Sequence, residues 1–202
     1  MGSRILFNTF AAAVLAGGAG GAAADDMAAR EQAARQATMA FLQQLGSTLK
    51  QEMKAGGPPE AIKVCRQVAP QLAGDISREN GWRVTRVGTR VRNPLLGMPD
   101  AWEQRVLGQF QVRAAKGEPL QTMSFSEQVR EPDGLYFRYM KAIGTQPLCL
   151  TCHGAPEQIP ESVQAVLRSE YPLDRATGYQ AGELRGAVSI KQPLAIPLRT
   201  TD

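Results

Sequence analysis

The sequence predicts an α+β domain in which long N-terminal helices precede an antiparallel sheet. Three observations carry this prediction. Apolar residues recur every three to four positions across residues 26–54, the period of a helix face. Later stretches have strand character, with alternating or β-rich residues. Gly- and Pro-rich turns and shorter helical patterns separate those stretches, as in a mixed α+β architecture. The chain has 202 residues, 43% hydrophobic and 21% charged, a composition expected of one soluble globular domain without repeats or low-complexity tracts.

Residues 1–24 read as a cleavable secretory signal peptide. Arg4 supplies the positive start, residues 5–15 the apolar run, and Ala22, Ala23 and Ala24 a small-residue cleavage site before Asp25. The expected location is therefore periplasmic. The mature chain divides into a helical region, residues 25–80, and a sheet-containing region, residues 81–202, forming one structural unit.

In the first helix Ala33, Ala37, Phe41, Leu45 and Leu49 form an apolar stripe, a brace for the core or a surface for homodimer formation. It ends at Gly56, Gly57, Pro58 and Pro59. A second helix opens at Pro59 and Glu60 and puts Ile62, Cys65, Ala69, Leu72 and Ile76 on one face. Pro70 is expected to kink it, and Asn80 with Gly81 to end it. Residues 82–91 alternate as a strand stopped by Arg92, Asn93 and Pro94. Pro99 and Asp100 then introduce an amphipathic helix through Trp102, Val106, Phe110 and Val112. A strand-like stretch follows Pro119 to Val129, turns at Pro132, Asp133 and Gly134, and returns over residues 135–143. Residues 161–170 form a short helix, and residues 184–190 a last strand.

Chemistry concentrates in residues 149–153, Cys-Leu-Thr-Cys-His. Two thiols at this spacing add across porphyrin vinyl groups as thioethers, and the histidine that follows reaches the iron, so the pentapeptide reads as a covalent attachment loop for haem c. A disulfide between Cys149 and Cys152 would suit a thioredoxin-like strand-to-helix junction, but Gly154 and Pro156 follow at once. Zinc would need the adjacent Cys152 and His153 on one small ion. Export and attachment support each other, because this attachment belongs outside the cytoplasmic membrane.

His153 is the only histidine, so the sixth ligand must be something else. Cys65 is the odd cysteine of three. It is either a small buried hydrophobe or an axial thiolate, and Met98, Met123 and Met140 are alternative donors, as is an empty position. The net charge of +4 is scattered, without a basic run interleaved with aromatics, which excludes a nucleic-acid-binding role. Arg83, Arg86, Arg90 and Arg185 are candidates for the haem propionates.

Several segments together resemble a family of exported c-type haem domains with a PAS-like fold, found alone or as sensor modules. They are residues 57–65 with Ala69 and Pro70, then Arg92-Asn93-Pro94, residues 99–103, 149–154, 171–179 and 182–190. Residues 95–98 depart from the pattern. The resemblance implies a five-stranded PAS-like sheet with long N-terminal helices. It also implies haem iron held between the motif histidine and a cysteine, here His153 and Cys65. Such ligation suggests a redox- or gas-responsive sensor module with a diatomic gas as ligand and an unnamed redox or signalling protein as partner. The alternative is a small electron-transfer cytochrome. A peroxidase is disfavoured, since no second histidine is available for distal acid–base work.

Overall fold

The structure is a computed structural model that describes residues 19–199, with side chains from residue 25. The proposed signal peptide lies outside the described side chains, and residues 1–18 lie outside the described residues altogether. No described helix is long and apolar enough to cross a membrane.

Helix α1, Ala19–Ala55, is long and carries the expected stripe. Phe41 and Leu45 are buried, flanked by half-buried Ala33, Ala37 and Leu49, and the stripe lies against the sheet as a brace. The second predicted helix is three consecutive pieces: α2, Gly57–Lys63, a π-helical turn, Val64–Val68, and α3, Ala69–Asn80. Next to Pro70 the helix changes its hydrogen-bond register. Pro70 has no N–H to give the carbonyl four residues earlier, and the chain takes up the deficit by widening one turn, with the Ala69 amide bonded to the Val64 carbonyl. Cys65 sits in that turn. Gly81 ends α3 with φ 69°, the left-handed conformation for which glycine is suited.

Strands β1 (Arg83–Gly88), β2 (Ser124–Glu131), β3 (Gly134–Gly144) and β4 (Leu184–Pro193) form one antiparallel sheet in the order β1-β4-β3-β2. These are the four strands legible in the residues. The fifth strand implied by the family resemblance is not found among the described residues. Between β1 and β2 the chain instead forms a short helix, α4 (Pro94–Gly97), and α5 (Ala101–Ala115), with Pro94 and Pro99 removing donors that a strand would need. Residues 95–98, which depart from the family pattern, are this short helix and its end.

Register sorts the two faces of the sheet. Val84, Ile190 and Tyr139 face α1 and α3 through the pairs Val84↔Ile190 and Tyr139↔Ile190. Val87, Ala187 and Ala142 face α5, where Val106, Phe110, Met123 and Met140 are completely enclosed. Strand β4, flanked by β1 and β3, is buried on both faces, its polar Ser189 and Gln192 included. A third cluster joins Ile62 of α2 to Val163 and Leu167 of α7, Glu161–Glu170, the helix predicted over the same residues.

Asp100 starts α5 with a capping box. Its carboxylate accepts from the Glu103 amide at 2.8 Å, while Glu103 accepts from the Asp100 amide at 2.8 Å. The second carboxylate oxygen takes the Arg138 guanidinium at 2.7 Å. Partial burial pushes the Asp100 carboxyl up, but the bonds from Arg138 and the Glu103 amide outweigh it and hold it below its usual range. A carboxyl depressed in the folded state contributes stability above its unfolded pKa of about 3.9, lost as pH falls through the folded value. Urea midpoints should therefore fall below about pH 4, and Asp100→Asn should be less stable at neutral pH with a shallower acid dependence.

Candidate functional site

A cavity of about 290 Å³ opens between α3, β1 and the loop after β1, and both Cys65 and His153 line it. Its apolar wall includes Phe41, Ala69, Val84 and Ile143. The helix side is held against the histidine side by the Ile62–α7 cluster and by an ion pair between Arg66 and Glu170. Two side chains from distant parts of the sequence, a thiol and an imidazole, therefore meet at one space.

His153 ends a single helical turn, α6 (Leu150–His153), that follows a 3₁₀ turn over Pro147–Cys149. Gly154 closes that turn by giving its amide to the Leu150 carbonyl at 2.8 Å, and a Cβ at 154 would lie 2.6 Å from the same oxygen. Glycine is thus required by close approach. The segment after α7, which in sequence is only turn-rich, forms a cradle for the histidine. The Tyr179 amide donates to the His153 carbonyl at 2.9 Å and the Gly178 amide to the Gly154 carbonyl at 2.7 Å. The Tyr179 ring meets the imidazole edge-on at 6.3 Å.

His153 Nδ1 lies 2.6 Å from the Ala176 carbonyl oxygen, which requires Nδ1 to carry the proton and donate. Nε2 is left with its lone pair. Burial, together with the guanidiniums of Arg185 and Arg92, holds this imidazole neutral far below its usual range, against the opposing pull of the Ala176 carbonyl. A neutral ring with Nδ1 engaged and Nε2 free has the tautomer and orientation of a metal-ligating histidine.

Arg92 and Asp174 support the cradle, and sequence reasoning assigned neither a role. Arg92 Nε donates to Asp174 at 2.9 Å, and Arg92 Nη2 donates to the Cys152 carbonyl. Asp174 in turn accepts from the Ala176 amide at 2.7 Å. One ion pair therefore grips both the attachment turn and the peptide that holds His153. The signal in the sequence was that both residues fall in segments carrying the family resemblance.

Cys149 and Cys152 flank the cavity without lining it. Both are free and half-buried, and Cys152 packs against the Ile62–α7 cluster. Burial pushes the Cys152 thiol up to about 11, with Arg92 opposing, so it is a neutral thiol at physiological pH. Of the methionines considered as axial donors, Met123 and Met140 are enclosed on the α5 face, and Met98 is exposed; none lines the cavity. Arg86, Arg90 and Arg185 line it with Arg92, whereas Arg83 does not.

Fold and cavity define a class: an α+β protein with long N-terminal helices, in which a helix-borne thiol and a loop-borne imidazole share one pocket. Within that class the chain belongs to the Tll0287-like family, which it matches over residues 23–193. Its structure is similar to the crystal structure of the cyanobacterial haem protein Tll0287, with 28% sequence identity and a TM-score of 0.60, covering 87% of this chain and 98% of that one. No curated protein matches the sequence.

Proposed function

We propose that this chain is an exported, periplasmic, single-haem c-type protein with a PAS-like fold, acting as a redox- or gas-responsive sensor module. The observation that carries the reading is the convergence of Cys65 and His153 on one cavity, in a family with a relative described as a haem protein. Haem iron, when bound, supplies a one-electron couple and two axial positions.

The residues present fit that group. His153 offers Nε2 on one side, with Nδ1 already satisfied. Cys65 would offer its sulfur as a second ligand from the same cavity, and the apolar lining suits a porphyrin. Cys149 and Cys152 act as the attachment thiols. Each S–H adds across a vinyl C=C, sulfur bonding to one carbon and the proton passing to the other, so no oxidant is needed.

The sensing element in this reading is Cys65. An anionic sulfur favours ferric over ferrous iron, and reduction or protonation of the thiolate weakens its hold. Cys65 stands in a π turn, a backbone form that commonly marks functional positions in helices. Its release would open a coordination position to a diatomic gas and free the α2–α3 segment to report to a protein partner. The alternative, electron transfer, requires that Cys65 remain bound through both oxidation states.

A pyridine haemochrome spectrum with the intact mass of the exported protein tests the foundation: one covalently attached haem and no residues before Asp25 are expected. An unmodified mass after maturation would remove the haem c reading. Stopped-flow mixing of the reduced protein with carbon monoxide separates the two roles. Rapid binding supports sensing, and a closed six-coordinate ferrous state supports electron transfer.

A further inference from the structure

We infer that Arg86 and Arg185 form a carboxylate-binding subsite in the cavity wall that takes the propionate groups of haem. This rests on the haem reading above and adds the residues that recognise the polar edge of the ligand. Among the described residues, four of the side chains lining the cavity are arginines and none is Asp or Glu. Two of the four are neutralised from outside the lining. Arg90 Nη2 is 2.7 Å from Glu183, and Arg92 Nε is 2.9 Å from Asp174. Arg86 and Arg185 have no ion-pair partner among the described residues.

Arg185 is anchored and yet incomplete. Nη1 donates to the Arg90 carbonyl at 3.0 Å, and the guanidinium lies 4.8 Å from the Tyr179 ring centroid. Its Nε, however, is buried with no hydrogen-bond partner among the described residues. Leaving a buried donor unpaired costs about 1–3 kcal/mol, more when the group is charged. Neighbouring cations add to that cost: burial lowers the proton affinity of Arg185, and Arg86 and Arg92 lower it further against the help of Tyr179. Such a wall, positive and free of acids, is poorly satisfied by protein alone and is complementary to a dianion. Guanidinium matches carboxylate in geometry, and haem carries two carboxylates on an otherwise apolar ring that suits the rest of the lining.

The test uses the full mature chain carrying Cys149→Ser and Cys152→Ser, which makes binding reversible. It is titrated in parallel with haem and with haem dimethyl ester, whose carboxylates are masked, in the same detergent. Haem should bind at least about tenfold more tightly than the ester, since each lost charge-assisted bond is worth roughly that factor or more. Arg185→Gln and Arg86→Gln should each weaken haem and leave the ester nearly unchanged. Equal affinities for haem and ester would overturn the carboxylate subsite while leaving the haem reading in place. Binding of neither would overturn both. A haem preference that survives both substitutions would also overturn the assignment to these arginines. The comparison of the two porphyrins on the unaltered arginines does not depend on either arginine variant folding.

Discussion

Replacing Cys65 with alanine should change the absorption spectrum of the oxidised protein and raise its midpoint potential by on the order of 100 mV or more, given the range over which axial ligands tune haem. Cys65 is the one thiol in the cavity lining among the described residues, and its sulfur, bound to iron as a thiolate, would stabilise the ferric state selectively. The other side chain of the lining that could offer an anionic oxygen is Tyr171, and burial pushes its phenol up to about 12, which keeps it a neutral, weak donor. His153 is the sole histidine, and no methionine lines the cavity. Cys65 is only half-buried, so truncating it should cost the fold little, below about 1.5 kcal/mol on the scale of small core changes. Far-ultraviolet circular dichroism and urea midpoint should therefore stay near those of the parent while spectrum and potential move. An unchanged ferric spectrum and potential in Cys65→Ala would remove this residue from the site, and with it the sensing mechanism built on its release.

Local pattern made most of the fold legible, and the reasons are visible in single elements. Helix α7 coincides with its predicted residues because Pro160 precedes it and Tyr171-Pro172 follows, so both ends are punctuated in sequence. The turn joining β2 to β3 was marked by Pro132, Asp133 and Gly134, and the register closes there as Glu131↔Gly134. The π turn was not legible. Pro70 signals a lost donor, but whether a helix answers by bending or by widening a turn is settled by what packs around it. The fifth strand came from family resemblance and not from the residues, whose alternation supports only the four that form.

At the site the same division holds. The pentapeptide 149–153 and the lone Cys65 are local signals, one a motif and the other an arithmetical remainder. The ion pair between Arg92 and Asp174 has no local signature, because each residue taken alone reads as a solvated surface charge. Only the folded chain shows them to be 8% and 11% exposed and bonded to each other. Likewise, the arginines of the cavity wall follow no period; β1 contributes Arg86, the loop after it Arg90 and Arg92, and β4 Arg185.

Asp174→Ala is accordingly expected to destabilise the protein by about 3–5 kcal/mol, because it leaves the buried Arg92 guanidinium without its counter-charge. The loss has a second component. Asp174 also holds the Ala176 amide, and the carbonyl of the same residue takes the proton of His153 Nδ1. Relaxing that peptide would loosen the imidazole and alter its donor strength. Urea unfolding measures the first effect and the midpoint potential of the haem-bound protein the second. Asp174→Asn should be milder in both respects, since an amide oxygen can still accept from the Ala176 amide and keep that peptide in place. Replacing the pair together, as Arg92→Leu with Asp174→Leu, should recover much of the lost stability, since two apolar groups avoid the isolated buried charge. That double variant should not recover the potential, because the Ala176 peptide remains untethered. Full recovery of both quantities would mean that Arg92 and Asp174 only pack the loop and do not position His153. A loss below about 1 kcal/mol for Asp174→Ala would mean that water replaces the carboxylate and that the pair is no more than a surface ion pair in its energetics.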